Sequence, residues 1–218
     1  MIRNRDYEVP IEISNRKFNL IMGLIILYGI VSNIVTCTII DKPFSRKVLI
    51  GVFIAYFISC LIGIILSKKS SSWVISFIGY NLVVVPVGVL LSQTLLCFGG
   101  INSPIVLEAF VITAAVTFLM VLSGILFPNF YSKIGNILFV ALVGLLIMRI
   151  LFMFLNIDPI IFSWIGAALF SLYIGYDFYK SQDNAKTLDN AVDSALDMYL
   201  DIVNLFLNIL SILSDRNK

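Results

Sequence analysis

The chain contains no histidine. That absence removes most zinc sites, haem ligation by histidine, and any serine–histidine or cysteine–histidine dyad. Charge is scarce as well: only 13% of the 218 residues are Asp, Glu, Lys or Arg, against about a quarter in a soluble domain. The net charge of +2 is too small to argue for nucleic acid as a partner. Three cysteines, Cys37, Cys60 and Cys97, form an odd set at no metal-like spacing, so no disulfide framework is expected. Cys60 lies inside an apolar run, where cysteine behaves as a small hydrophobe.

What the chain has is apolar length. Sixty per cent of it is hydrophobic, with a mean hydropathy of +1.01. Uncharged stretches long enough to cross a bilayer point to an all-α polytopic membrane protein. Seven spans are expected, at about 18–40, 48–67, 73–96, 105–127, 137–155, 159–179 and 191–213. Breakers separate most of them: Lys42-Pro43, the Ser/Lys run from Ser67 to Ser72, Gly99-Gly100 through Pro104, Pro128-Asn129, and Asn156 through Pro159. The loops are short, so residues 1–218 read as one transmembrane domain. No internal repeat supports an inverted-repeat transporter. Met1 to Lys17 is polar and mixed in charge and leads into a full span, so no cleavable signal peptide is expected.

Basic residues in the loops set an expected orientation. Arg3, Arg5, Arg16, Lys17, Lys68, Lys69, Lys133, Lys180 and Lys186, nine in all, fall on the side of the N-terminus. Lys42, Arg46, Lys47, Arg216 and Lys218, five in all, fall on the other. A cytoplasmic N-terminus and an outside C-terminus follow as the expectation.

The last span departs from a lipid-facing pattern. Asp193, Asp197, Asp201, Asn204, Asn208 and Ser211 fall within an arc of roughly 80° at helical spacing. They extend over about 27 Å of rise, close to the hydrocarbon thickness. Such a helix is expected at the centre of the bundle, its stripe facing polar partners or a hydrated path. Asn204 and Asn208 have two readings, path lining or interhelical glue. Asp193 has two as well, path lining or a helix cap.

Asp201 and Asp177 carry the sharper expectation. A carboxylate at membrane depth costs roughly 2.5–3.5 kcal/mol on insertion scales, so function is the default reading. Asp177 closes the sixth apolar run in Ser171-Leu-Tyr-Ile-Gly-Tyr-Asp-Phe-Tyr-Lys180, and a hairpin brings it to Asp201. Two carboxylates in a low-dielectric site share one proton, and the titration belongs to the pair. With the proton the pair bridges two helices. Without it the pair repels, or attracts a cation, and hard oxygen ligands suit calcium. Lys68 or Lys69 can compensate that charge, or serve as plain positive-inside anchors.

These residues resemble the transmembrane Bax-inhibitor-motif family, whose bacterial members share this size and seven-helix layout. Ala168-Leu-Phe-Ser-Leu-Tyr-Ile-Gly-Tyr-Asp177 is similar to the family's sixth helix. Ala195-Leu-Asp-Met-Tyr-Leu-Asp-Ile-Val-Asn-Leu-Phe-Leu-Asn-Ile-Leu210 is similar to its seventh, and Val106-Leu-Glu-Ala-Phe110 to the opening of its fourth. The 24-residue separation of Asp177 and Asp201 also fits. The resemblance implies a passive calcium leak across a bacterial cell membrane, gated by pH through the Asp177–Asp201 pair. Calcium and protons would be its ligands, with no tightly bound cofactor. It also implies a role for Glu108 in the cation path, and for a basic residue at the end of the second helix. The family often has arginine there, and this chain has Lys68 and Lys69. Lysine makes no bidentate fork to a carboxylate pair, so a latch here is weaker or set at another pH. Asp193 and Asp197 stand outside the family pattern and would add cation attraction at the cytoplasmic mouth.

Three competing readings are distinct in chemistry. Intramembrane aspartyl proteases also pair an aspartate after tyrosine, as in Tyr176-Asp177, with one on the next helix. They carry Gly-x-Gly-Asp at the second position, where this chain has Met198-Tyr199-Leu200 before Asp201, and no Pro-Ala-Leu follows. A retinal protein needs a lysine in the last span, and 191–213 has none. A regulator that binds partner membrane proteins without conducting is the third. Arg149, inside the fifth span, either snorkels outward or pairs with Asp158 in the following turn. Glu108 either lines the path or favours its helix N-terminus.

Overall fold

A computed structural model describes residues 12–155 and 160–216. Arg3, Arg5 and Lys218 of the loop charges, and the expected break from Asn156 to Pro159 with Asp158, lie outside the described residues. Seven helices follow in order: α1 Asn15–Ile39, α2 Arg46–Lys69, α3 Trp73–Leu96, α4 Pro104–Leu126, α5 Pro128–Leu155, α6 Ile160–Asp183 and α7 Leu188–Arg216. Among the described residues there is no strand. All seven are long and apolar enough to cross a membrane, so the chain is an all-α integral membrane protein.

Most expected spans match these helices to within a few residues. The fifth does not. It begins at Pro128, well before 137. Pro128 lacks the N–H that a first helical position leaves unused anyway, so the dipeptide read as a breaker starts a helix. The chain turns at Phe127, whose N–H returns to Ser123 O at 2.9 Å. Between α3 and α4 it turns through Gly99 and Gly100, at φ +90° and +86°, where a side chain would be strained.

The last helix is central. It packs against α1, α3, α4 and α6, with a smaller contact to α2. Fifteen of its residues are buried, against two on α2. α2 sits outside on α3, and α5 outside on α6. Close approach depends on small residues. A Cβ on Gly63 would stand 2.5 Å from Gly79 O, and one on Gly79 would stand 2.5 Å from Gly63 O, so α2 and α3 cross backbone to backbone. Pro86 lies inside α3 and leaves Leu82 O without its helical donor. Ser59 on α2 supplies one, its Oγ donating to Leu82 O at 2.6 Å.

Candidate functional site

The polar stripe on α7 is a ladder whose rungs are met by different helices. At the end nearest the start of α1, called here the near side, Ser76 Oγ on α3 donates to Asp189 at 2.6 Å. One turn deeper, Ser67 Oγ on α2 donates to Asp193 Oδ1. Next, Lys68 Nζ lies 2.7 Å from Asp197 Oδ2. The Asp177 and Asp201 side chains then come within hydrogen-bonding reach of each other. Beyond them Asn204 Nδ2 donates to Leu200 O of its own helix at 2.8 Å. Arg149 Nη2 donates to Asn208 Oδ1 at 2.5 Å, and Ser163 Oγ to Ser211 Oγ at 3.0 Å.

The α6–α7 hairpin makes the carboxyl pair. Thr187 Oγ1 accepts from Asn190 N at 3.1 Å and caps α7. Lys186 Nζ donates to Ser181 O at 2.8 Å and Gln182 O at 2.6 Å, closing the end of α6. The same ammonium lies 4.7 Å from the Phe18 ring centroid. Burial pushes the Lys186 ammonium below the usual lysine range. These contacts hold the last turns of α6 against the first turns of α7.

Asp201 is the deepest carboxylate on the ladder, only 7% exposed. Its Oδ2 is buried with no hydrogen-bond partner among the described residues. A buried carboxylate oxygen without a donor is costly unless a proton or a cation meets it. Asp177 is half-buried. Asp197 and Lys68 are each about a third open, and both are close enough to act electrostatically on Asp177. Among the described residues no group of three or more acidic or cysteine side chains converges as a metal site. Two carboxylates fall short of the roughly six to eight oxygens of a calcium cage.

The expected residues sort by position. Lys68 reaches Asp197 and the Asp193 carbonyl, while Lys69 is exposed and makes no ion pair among the described residues. Asp193 is not a cap, since α7 begins at Leu188 and Thr187 caps it. Glu108 sits in the second turn of α4, on the far side, and its Oε1 lies 2.8 Å from Arg216 Nη2. Arg149 does not snorkel outward. It turns inward over α6 to Asn208 and to Phe162 O at 3.3 Å. Sequence reasoning missed Ser67, Ser76 and Asp189. Asp189 was legible, because 189, 193, 197 and 201 repeat every four residues along one face.

A family profile described as Inhibitor of apoptosis-promoting Bax1 matches residues 14–218. An uncharacterized protein of Helicobacter pylori strain J99 is 34% identical over 117 residues, 51% of this chain and 50% of that protein. The inner membrane protein YbhL of Escherichia coli K12 is 25% identical over 193 residues, 83% of this chain and 81% of YbhL. Bax inhibitor 1 of Schizosaccharomyces pombe is 32% identical over 117 residues, 51% of this chain and 43% of that protein. The matched segment thus spans about half the length of the Helicobacter and yeast relatives. Neither the family description nor these names carry a catalytic activity. With nearly its whole length matched, and seven helices of which the last is central, the chain belongs to the Bax1-I family of Bax inhibitor-like membrane proteins.

Proposed function

We propose that this chain is a passive leak path for cations, calcium foremost, gated by a proton shared between Asp177 and Asp201. One observation carries the reading: two carboxyls from adjacent helices meet at the centre of the bundle, and Asp201 Oδ2 is buried there without a donor. A shared proton joins α6 to α7. Its loss puts two like charges side by side in a poorly screened place, which drives the helices apart and draws a cation in. Flux therefore rises with pH. Asp189, Asp193 and Asp197 supply oxygens leading to the pair from the near side, which the loop lysines and arginines assign to the cytoplasm. Asn204 and Asn208 continue the path beyond it, and Glu108 marks its far mouth. No nucleotide-binding motif accompanies the helices, so the gradient supplies the energy.

The test is calcium flux in liposomes holding only the purified chain and lipid. The reading expects leak down the gradient, increasing from about pH 5 to about pH 8. Folded protein whose liposomes stay calcium-tight over that range overturns it. A second reading, a regulator that acts by binding other membrane proteins, is favoured by the names of two relatives. These are Bax inhibitor 1 of yeast and the Golgi anti-apoptotic protein of vaccinia virus, the latter 31% identical over 116 residues. Calcium-tight liposomes would favour it.

A further inference from the structure

The far half of the α7 ladder holds a positive charge where a cation path would need negative or neutral groups. Arg149 lies within α5, a helix that packs chiefly on α6. Its guanidinium nevertheless reaches α7. Nη2 donates to Asn208 Oδ1 at 2.5 Å and to Phe162 O at 3.3 Å. The reach passes α6 at Gly166. A Cβ there would stand 2.5 Å from Asn208 Oδ1 and 2.9 Å from its Nδ2. Any other residue at 166 would occupy the space in which Asn208 meets the arginine. Asn208 is held on its other side by its own Nδ2, which donates to Asn204 O at 2.7 Å. Asn208 is 3% exposed, so its end of the junction is enclosed by protein, while Arg149 itself is an exposed residue of α5. Both partners are neutral acceptors, and among the described residues no carboxylate is paired with Arg149.

Seven residues separate Asp201 from Asn208 on α7, about 10 Å of rise. A cation released by the carboxyl pair toward the far side meets the guanidinium next. Repulsion scales with the ion's charge and is poorly screened inside the bundle, so a divalent ion is opposed twice as strongly as a monovalent one. Arginine keeps its charge at any working pH.

We infer that Arg149, seated on Asn208 through the gap at Gly166, is a fixed electrostatic barrier in the far half of the path that limits cation leak and opposes divalent ions most. The inference rests on the conducting reading above and adds a second control point that does not titrate.

The experiment compares calcium and potassium leak from liposomes for wild type, Arg149→Gln and Arg149→Lys at one pH. Arg149→Gln keeps a donor for Asn208 but removes the charge. Arg149→Lys keeps the charge. The barrier predicts that Gln raises calcium leak roughly tenfold or more and potassium leak by less, while Lys stays within about twofold of wild type. Retention of an entrapped dye must be unchanged, so that the gain is not a general loss of the seal. The calcium-to-potassium leak ratio gives a second reading: it must rise in Arg149→Gln and stay near wild type in Arg149→Lys. If wild type leaks calcium and Gln leaks no more, the barrier is overturned and the conducting reading stands. If Lys leaks as much as Gln, packing and not charge is responsible, and the barrier is overturned. A calcium-to-potassium ratio that is the same in Arg149→Gln as in wild type also overturns it. If wild type and Gln are both tight, the conducting reading fails and the barrier with it.

Discussion

Lys68 Nζ lies 2.7 Å from Asp197 Oδ2, one turn to the near side of the Asp177–Asp201 pair. The lysine at the end of α2 is thus engaged by a rung beside the pair, and acts on Asp177 through space. The ion pair is about one-third exposed on each side, so its removal costs little stability, about 0–1 kcal/mol. Lys68 still adds, with Lys180, a positive charge near Asp177. Lys68→Met is expected to shift the midpoint of flux against pH and leave the response in place. Lys69→Met, at an exposed residue without an ion pair, is expected to leave the midpoint where it is. Flux titrations of the two variants check this, and a larger shift for Lys69→Met would contradict it.

The crossing of α2 and α3 at Gly63 and Gly79 has a simple consequence. Gly63→Val forces side-chain carbons into the Gly79 carbonyl, whereas Gly51→Ala meets nothing within 4 Å. The first is expected to destabilise the bundle by about 1–3 kcal/mol, as overpacking does, and the second to be near neutral. Thermal unfolding in detergent distinguishes them. Equal melting temperatures would show that the helices do not cross this closely.

Lys186 joins the end of α6 to α1 through two carbonyls and the Phe18 ring. Lys186→Met is expected to cost about 1–2 kcal/mol at neutral pH, the value of charge-assisted bonds at a helix end. The pH dependence has a defined sign. Burial holds the folded-state pKa below its unfolded value, so the folded state binds fewer protons in that window. The penalty is full below the folded pKa and is lifted as pH rises toward the unfolded value of about 10.4. The stability gap between wild type and Lys186→Met should therefore widen from neutral pH upward. A gap that narrows contradicts the assignment.

These residues also show what a sequence reveals about such a protein. The seven helices were legible because bilayer length and apolarity leave little choice of structure. The stripe on α7 was legible because helical periodicity alone puts 193, 197, 201, 204, 208 and 211 on one face. Its partners were not. Ser67 and Ser76 are ordinary serines until the bundle order carries α2 and α3 to Asp193 and Asp189. Arg149 had two local readings, snorkelling outward or pairing with Asp158, and neither reached Asn208, because nothing local shows that Gly166 leaves room on α6 for that contact. The start of α5 was misplaced because Pro128 reads as a breaker, although proline is suited to a helix's first turn.

The central claim is that the proton shared by Asp177 and Asp201 is the switch. Asp201→Asn keeps the shape and a hydrogen-bond donor but cannot change charge, and Asp177→Asn does the same from the other helix. Calcium flux against pH, measured for wild type and both variants in the same liposomes, tests the claim most directly. Wild type is expected to leak more as pH rises, and each variant to give a flux that no longer depends on pH. Asp193→Asn, nearer the mouth, should keep most of the response. If Asp201→Asn and Asp177→Asn both retain the wild-type midpoint and steepness, the pair is structural and the switch lies elsewhere.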